Sequence, residues 1–491
     1  MEINATGNRL AVHGSVYLLG NILQRSVSFI MLPVYTRYLT PADYGVLELL
    51  SMVIDFAGII FGMRIADAIF RYYARYESRE EKNEVISTSL FLVFFMSLAG
   101  MLVIWASAGS LADLVFGHRD YTLLLILFSM TLVTHSLIGV PLTFLKARQR
   151  SVTFLCFSMF KLIMQLGLNI YFIVFLGMRV EGVIYSALIT GGLMAVALTV
   201  YTLSATGIRY SVPKAKEMIR FSVPLIGASI LAFYFTFGDR YFLRLYGGIQ
   251  EVGVYSLAYK FGFLLSFLVL SPFASIWDSE KFHVVKRENA LQIYQNVFLV
   301  LSTLVLFCAV GMSLFVDELL MIMSDRGFWP AAQIVPVVVA AYVFQAWTNY
   351  GNLGIQLKAQ TIKITYGNLL AAIVITPGYL FLIPAYGSMG AALATLLAFM
   401  ARCWYINQSA RRLFDMQLPW RRMFYAAALC TFAVSVSMTG PQSIVGGLLF
   451  DALVMTGFAV LFFLVPILPV EMRRACFRVL FHPKSLAAYF K

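Results

Sequence analysis

The chain has 491 residues, of which 60% are hydrophobic, 15% aromatic and 12% charged, and its mean hydropathy is +0.81. Soluble domains carry roughly 25% charged residues, so this composition excludes most soluble enzymes and indicates a polytopic membrane protein. The formal charge of +13 would suit a nucleic-acid partner. However, most basic residues fall in short connectors on one side of the predicted membrane, so we predict no nucleic-acid binding.

Apolar runs of membrane-spanning length recur along the whole chain. A spanning helix needs about 20 mostly apolar residues, because a rise of about 1.5 Å per residue must cross about 30 Å of hydrocarbon. The first run is interpreted as a retained span, since it lacks the pattern of a cleaved signal. We predict an all-α membrane protein with about 14 transmembrane helices, near residues 13–37, 43–64, 85–108, 121–144, 152–176, 180–203, 218–241, 252–276, 291–315, 330–352, 363–384, 388–408, 422–438 and 445–468.

The placement of Lys and Arg orients these spans. Connectors and tails on one side, Arg402 counted among them, hold 28 of these residues, and those on the other side hold six. Cytoplasmic loops are enriched in Lys and Arg, so both termini are predicted to be cytoplasmic. The longest loop on the opposite side, residues 316–329, is too short for a catalytic domain, so we predict no enzymatic activity. The five cysteines lack C-x-x-C spacing, and we predict no metal site and no cofactor.

Two similar stretches, residues 38–46 and 246–254, indicate an internal repeat. Their glycines Gly45 and Gly253 are 208 positions apart, and the same offset relates the first span to the seventh and the sixth to the twelfth. Copies of six helices enter the membrane in the same direction, a plan found in transporters that bind substrate between the halves. We predict six-helix lobes at 1–208 and 209–416, two further spans within 417–470, and a basic cytoplasmic tail at 471–491.

The segments Leu32–Leu50 and Gly238–Lys260 resemble the polysaccharide-unit flippases, the O-antigen and exopolysaccharide transporters of the multidrug/oligosaccharidyl-lipid/polysaccharide superfamily. The resemblance implies a V-shaped pair of lobes around a central cavity. It also implies alternating-access translocation of an undecaprenyl-diphosphate-linked oligosaccharide across the bacterial inner membrane. Expected partners are membrane lipid and the polysaccharide polymerase or export machinery. Relatives flip lipid II or export drugs and cations, and these activities are the alternatives.

Ionisable residues inside predicted spans are costly and are therefore functional-site hypotheses. Arg25 and Asp55 lie near the middle of consecutive antiparallel spans, which predicts a cavity-facing pair. We assign Arg25 to the substrate diphosphate, because a planar guanidinium engages phosphate oxygens bidentately. The alternative is that the pair only locks two helices together. Lys260 is predicted to face the same cavity from the second lobe, or to extend toward the interface.

Polar side chains repeated at helical spacing predict the walls of that cavity. Their amides are suited to sugar hydroxyls, although the same groups can instead join helices to one another. Besides Arg25 and Lys260, the predicted substrate-binding residues are Asn21, Gln24, Lys161, Gln165, Asn169, Gln345 and Asn349.

The remaining predictions concern coupling and movement. Asp55 and Glu48 are candidates for a coupling ion, either H+ or Na+. Asp239 and Arg240 are predicted to pair at the periplasmic rim as part of a gate. Pro224 lies within the seventh span, where a missing backbone donor favours a kink, and is the candidate hinge or a fixed bend.

Overall fold

The computed structural model describes residues 29–62, 64–441, 443–469 and 473, and every regular element within them is helical. The predictions for Arg25, Asn21 and Gln24, and for the basic tail apart from Arg473, lie outside the described residues. A helix satisfies its own backbone hydrogen bonds, which is the requirement that a bilayer interior imposes on a spanning segment. The all-α membrane fold predicted from the sequence is therefore confirmed for the part of the chain that the structure describes.

The first copy of the repeat supplies the helices up to Thr206. The seventh of them continues into a π-helical turn, Tyr171–Phe175. The helices are α1 Leu32–Tyr38, α2 Pro41–Phe61, α3 Ile65–Arg75, α4 Arg79–Ala106, α5 Ala108–Phe116, α6 Thr122–Ala147, α7 Ser151–Ile170 and α8 Arg179–Thr206.

The second copy and the C-terminal pair supply the rest. Two further π-helical turns, Ser266–Leu270 and Gly378–Leu382, lie between consecutive helices. The helices are α9 Val212–Gly247, α10 Ile249–Leu265, α11 Ser271–Val284, α12 Ala290–Leu314, α13 Val316–Met323, α14 Ala331–Leu357, α15 Ile362–Pro377, α16 Ile383–Leu413, α17 Trp420–Ser437 and α18 Ile444–Leu464.

The element boundaries repeat with the offset seen in the sequence. Helices α2 and α10 begin at Pro41 and Ile249, and the short helices α5 and α13 begin at Ala108 and Val316. Both pairs are 208 residues apart, and the π-helical turns that begin at Tyr171 and Gly378 are 207 apart. The duplication thus extends to the short helices and helix irregularities between the spans.

Eleven apolar helical runs among the described residues are long enough to cross a membrane. One of them, Ile362–Leu413, contains α15 and α16, and its backbone breaks within the first turn and a half of α16, at Gly387, with φ 53° and ψ −131°. Such a positive φ is readily accessible to glycine because it has no Cβ. Helix α17 coincides with the predicted thirteenth span but is not one of the eleven runs.

The described chain forms two compact units that do not follow the two halves of the sequence. Unit 1 contains the described residues up to Leu257 together with Met323–Phe328 and Ala371–Thr395. Unit 2 contains Ala258–Ile322, Trp329–Leu370 and the described residues from Leu396 onward. Unit 1 therefore holds the first repeat together with parts of the second.

The structure corrects one assignment made from charge. Arg402 was counted among the loop residues, but it lies within α16, about eleven residues before the helix ends, and it is buried. Its Nη1 donates a hydrogen bond to Oε1 of Gln345 on α14 at 2.7 Å. An apolar run can carry a guanidinium when the cation finds an acceptor on a neighbouring helix.

Candidate functional site

Three predicted binding residues, Lys161, Gln165 and Asn169, lie on one face of α7 in unit 1. Asn169 is buried and donates from Nδ2 to the hydroxyl of Tyr35 at 3.0 Å. Gln165 donates from Nε2 to Oγ of Ser186 on α8 at 2.6 Å. These two amides therefore join α7 to its neighbours. Of the two roles predicted for them, binding sugar hydroxyls and joining helices, the structure shows the second.

Lys161 differs from the two amides on its face. Its side chain is partly buried, and it makes no hydrogen bond or ion pair with any residue that the structure describes. His135 on α6 lies within electrostatic range of it, and the His135 side chain is exposed. A partly buried ammonium without a carboxylate partner is costly in a membrane segment, so it is suited to an anionic ligand.

The predicted ion-coupling residues lie on α2. Glu48 is partly buried and hydrogen-bonds Tyr44, whereas Asp55 is exposed two turns further along the helix. The partner predicted for Asp55, Arg25, is outside the described residues, so their pairing remains a prediction. An exposed carboxylate in an otherwise apolar helix is compatible with a cavity wall.

The predicted gate residues Asp239 and Arg240 form a buried pair near the end of α9. Asp239 Oδ1 lies 2.7 Å from Arg240 Nη1, and both side chains are almost fully buried. The hydroxyl of Tyr255 on α10 donates to Asp239 Oδ2 at 2.6 Å, and Arg240 Nη1 also donates to the carbonyl of Thr236. Each charge thus has a specific partner, which is the condition for burying an ion pair.

Around this pair, unit 1 brings equivalent segments of the two repeat copies into direct contact. A Cβ built on Gly45 would overlap the carbonyl oxygen of Ile249, and one built on Gly253 would overlap that of Pro41. Gly45 and Gly253 are equivalent positions, as are Pro41 and Ile249. The crossing of α2 and α10 is therefore locally symmetric, and only glycine permits so close an approach.

A second contact is duplicated in the same way. In the first copy, Asp43 Oδ2 lies 3.9 Å from Arg179 Nη1 at the start of α8. In the second copy, Glu251, the equivalent of Asp43, accepts hydrogen bonds from the backbone N–H and the hydroxyl of Ser388, at 3.0 and 2.9 Å. Ser388 follows the break at Gly387, so the carboxylate fixes the backbone there.

The predicted residues in unit 2 are arranged differently. Gln345 accepts a hydrogen bond from Arg402, Asn349 is exposed and Lys260 is partly buried. In unit 1, Pro224 is an exposed position inside α9, which is assigned as one continuous helix from Val212 to Gly247. Its role as a hinge remains a prediction.

Sequence reasoning missed four residues of these contacts: Tyr35, Tyr255, Ser388 and Arg402. Arg402 carried a usable signal, because it stands inside the apolar run LLAFMARCWYI. The tyrosines and the serine carried none, since such residues are common in membrane helices and only their partners distinguish them.

Comparisons with known proteins agree with this fold. The family described as "Polysaccharide biosynthesis protein" matches residues 11–277. No curated protein matches the chain significantly. Among solved structures, the lipid II flippase MurJ in an inward closed conformation is similar with a TM-score of 0.74 and 13% identity, covering 91% of this chain and 98% of MurJ.

Drug transporters share the fold less closely. A MATE transporter in complex with MaL6 has a TM-score of 0.61 and 15% identity, covering 82% of this chain and 96% of the transporter. An inward-facing multidrug resistance MATE transporter of the MOP superfamily has a TM-score of 0.57 and 16% identity, covering 80% and 95%. The TM-scores establish a shared fold, while the chemistry must be argued from the residues.

Proposed function

This chain belongs to the polysaccharide biosynthesis protein family within the MOP superfamily of flippases and transporters, and from that premise we propose that it flips an undecaprenyl-diphosphate-linked oligosaccharide. The lipid-linked unit would move from the cytoplasmic to the periplasmic leaflet of a bacterial inner membrane. Its product would feed polymerase or export machinery, and no covalent chemistry is required of the flippase.

The observation that carries the proposal is the polar face of α7. Lys161 supplies a positive charge without a carboxylate partner among the described residues. A cation without a carboxylate partner on a helix face suits a ligand that carries a phosphate group. Arg25 would supply the bidentate phosphate contact in this proposal.

The packing within unit 1 supports alternating access. Equivalent segments of both repeats meet at Gly45 and Gly253 with their backbones in contact. Such a contact would close one end of a substrate path, and its separation would open that end. Glu48 or Asp55 would bind the coupling H+ or Na+ in this scheme.

Gene deletion and reconstitution test the function. Deletion is expected to abolish a surface or secreted polysaccharide and to accumulate the lipid-linked unit on the cytoplasmic leaflet. Purified protein in liposomes is expected to translocate a short-chain polyprenyl-diphosphate oligosaccharide. Translocation of lipid II alone, or drug sensitivity as the only deletion phenotype, would contradict the proposal and favour one of the alternatives.

A further inference from the structure

Unit 2 contains a cavity of about 800 Å³ that no part of the proposed function uses. It lies between the last turns of α16, the connector 414–419 and the first turn of α17. Its lining combines three arginines and one aspartate with an amide and an aromatic ring: Arg411, Arg421, Arg422, Asp415, Gln408 and Trp404.

The lining has an excess of positive charge. Arg411 forms an exposed ion pair with Asp415, with Nε to Oδ2 at 3.3 Å. Arg421 and Arg422 make no ion pair with any of the described residues. Both occupy the first turn of α17, which has no acidic residue and no side-chain cap. The positive end of a helix dipole disfavours two cations there, so a bound anion would offset both charges.

The surface next to the cavity changes from apolar to cationic along α16. Leu397, Met400 and Trp404 follow one another at steps of three and four, with exposed fractions of 50%, 41% and 64%. Gln408 and Arg411 continue the same helix face into the cavity. This face therefore offers an apolar strip of about two turns that ends at a guanidinium.

Helix α17 shows the same change of surface, from cationic at its first turn to apolar in the next. Its first turn carries Arg421, and the next turn exposes Phe424 and Tyr425 by 74% and 56%. Both helices thus present cations at the cavity and large apolar side chains beyond it. Aromatic rings and arginines meet in this order at the boundary between lipid headgroups and hydrocarbon.

We propose that this cavity binds the phosphate headgroup of an anionic phospholipid, with the acyl chains lying along the exposed apolar faces of α16 and α17. Arginines suit a phosphate because their planar donors can engage two oxygens at once. Basic pockets between transmembrane helices are suited to anionic lipid headgroups. The apolar strip favours a lipid over a soluble phosphate, and the proposal does not depend on which substrate the protein transports.

Native mass spectrometry of the full chain released from nanodiscs tests the site. We expect retention of phosphatidylglycerol from mixed phosphatidylglycerol and phosphatidylcholine membranes. Each basic residue near an anionic lipid contributes about fivefold in binding, so the triple variant R411Q/R421Q/R422Q is expected to lose about 100-fold. The triple lysine variant R411K/R421K/R422K keeps the charge but loses the paired donors, and its binding is expected to lie between that of the unmodified protein and that of the glutamine variant.

A matched control removes three charges elsewhere in unit 2. The variant K286Q/R287Q/K358Q changes exposed connector residues outside the cavity, and its lipid retention is expected to stay near that of the unmodified protein. Equal losses in the two glutamine variants would overturn the proposal in favour of general surface charge. Equal retention of phosphatidylcholine would also overturn it.

A competition arm separates the sources of phosphate. Inorganic phosphate and a short-chain polyprenyl diphosphate are each added at the concentration of the bound phosphatidylglycerol. Continued retention of the phospholipid is the expected result. Its displacement by inorganic phosphate would show a soluble-anion site, and displacement by the polyprenyl diphosphate would assign the cavity to a transported lipid; either outcome would overturn the proposal.

Discussion

Gly45 and Gly253 occupy the same position in the two copies of the repeat and face each other where α2 crosses α10. A Cβ built on either residue would lie 3.1 Å from the backbone nitrogen of the other and would overlap a carbonyl oxygen of the facing segment. The residues that reveal the duplication in the sequence are therefore those that bring its two copies together. Backbone atoms cannot move aside as a flexible side chain can, so this contact depends on glycine at both positions.

Substitution of either glycine tests this contact. We expect Gly253→Ala and Gly45→Ala to destabilise the protein by about 1–3 kcal/mol, the usual cost of overpacking a close contact. Transport should also fall, because the two segments could no longer meet. Thermal unfolding in detergent and the liposome assay measure the two effects.

Gly227 on α9 provides the matched control, since a Cβ there would meet nothing within 4 Å. Gly227→Ala is expected to leave transport unchanged and to raise stability slightly, as alanine does at an open helix position. Equal effects of all three substitutions would contradict the close-contact interpretation.

For the buried pair of Asp239 and Arg240, we expect removal of one charge to cost more stability than removal of both. Asp239→Asn leaves the buried guanidinium without its carboxylate and is expected to cost about 3–5 kcal/mol of unfolding free energy. Tyr255→Phe removes one hydrogen bond to the same carboxylate, with an expected loss of about 1.5–3 kcal/mol. The double variant D239N/R240L should recover part of the loss; no recovery, measured by thermal unfolding, would argue against the charge-pair explanation.

Lys161 is expected to act on the substrate and not on the fold. Lys161→Gln should reduce translocation at least tenfold with expression and unfolding temperature retained, and Lys161→Arg should restore part of the activity because it restores the charge. The matched control Lys286→Gln removes an exposed charge from a connector and should transport normally. Normal transport by Lys161→Gln would separate this residue from the substrate site.

The role of Arg25 in binding the substrate diphosphate is predicted from the sequence and can be tested in the same way as that of Lys161. Arg25→Ala should stop transport while expression is retained, and Arg25→Lys should restore it only in part, because an ammonium lacks the bidentate donors of a guanidinium. Transport by the alanine variant at the normal rate would remove the diphosphate assignment. An Asp55→Asn variant with the same loss would support the predicted pair.

Glu318 on α13 predicts a pH dependence of stability. Burial raises the pKa of Glu318; a backbone hydrogen bond lowers that pKa by less, and the nearby carboxylates Asp451 and Asp317 each raise it slightly. The folded state then holds a proton that the unfolded state releases near the ordinary value of 4.5. Stability should therefore fall as the pH rises from about 4.5 through the raised pKa.

Glu318→Gln should remove this dependence. Thermal unfolding of both proteins between pH 4.5 and 8 measures the difference, which should grow with pH in favour of the variant. Glu181→Gln, which removes an exposed carboxylate at the start of α8, is the control. A difference that is constant with pH would show that the side-chain change, and not its titration, is responsible.

Composition, periodicity and charge placement predicted the helical membrane fold because each of them acts locally. Each predicted span from residue 43 onward overlaps helical structure, and the spans 252–276 and 363–384 each run across a π-helical turn between two helices. The agreement arises because length and hydropathy determine which segments suit a bilayer. The offset between Gly45 and Gly253 likewise follows from the printed letters. The assignment of Arg402 to a loop was wrong, because a charge count cannot see an acceptor on another helix.

The sequence by itself determined the membrane class, the helix positions and the duplication, because these depend on neighbouring residues and on self-similarity. The tertiary structure alone decided which polar side chains already form hydrogen bonds with a neighbouring helix. In the sequence, nothing separates Gln165, Asn169 and Gln345 from amides that face a cavity, because every such side chain has the same donors and acceptors. In the structure, each of the three forms a hydrogen bond with a neighbouring helix. Partners distant along the chain leave no periodic trace, so only packing in three dimensions distinguishes a helix-joining amide from one that remains available to a substrate.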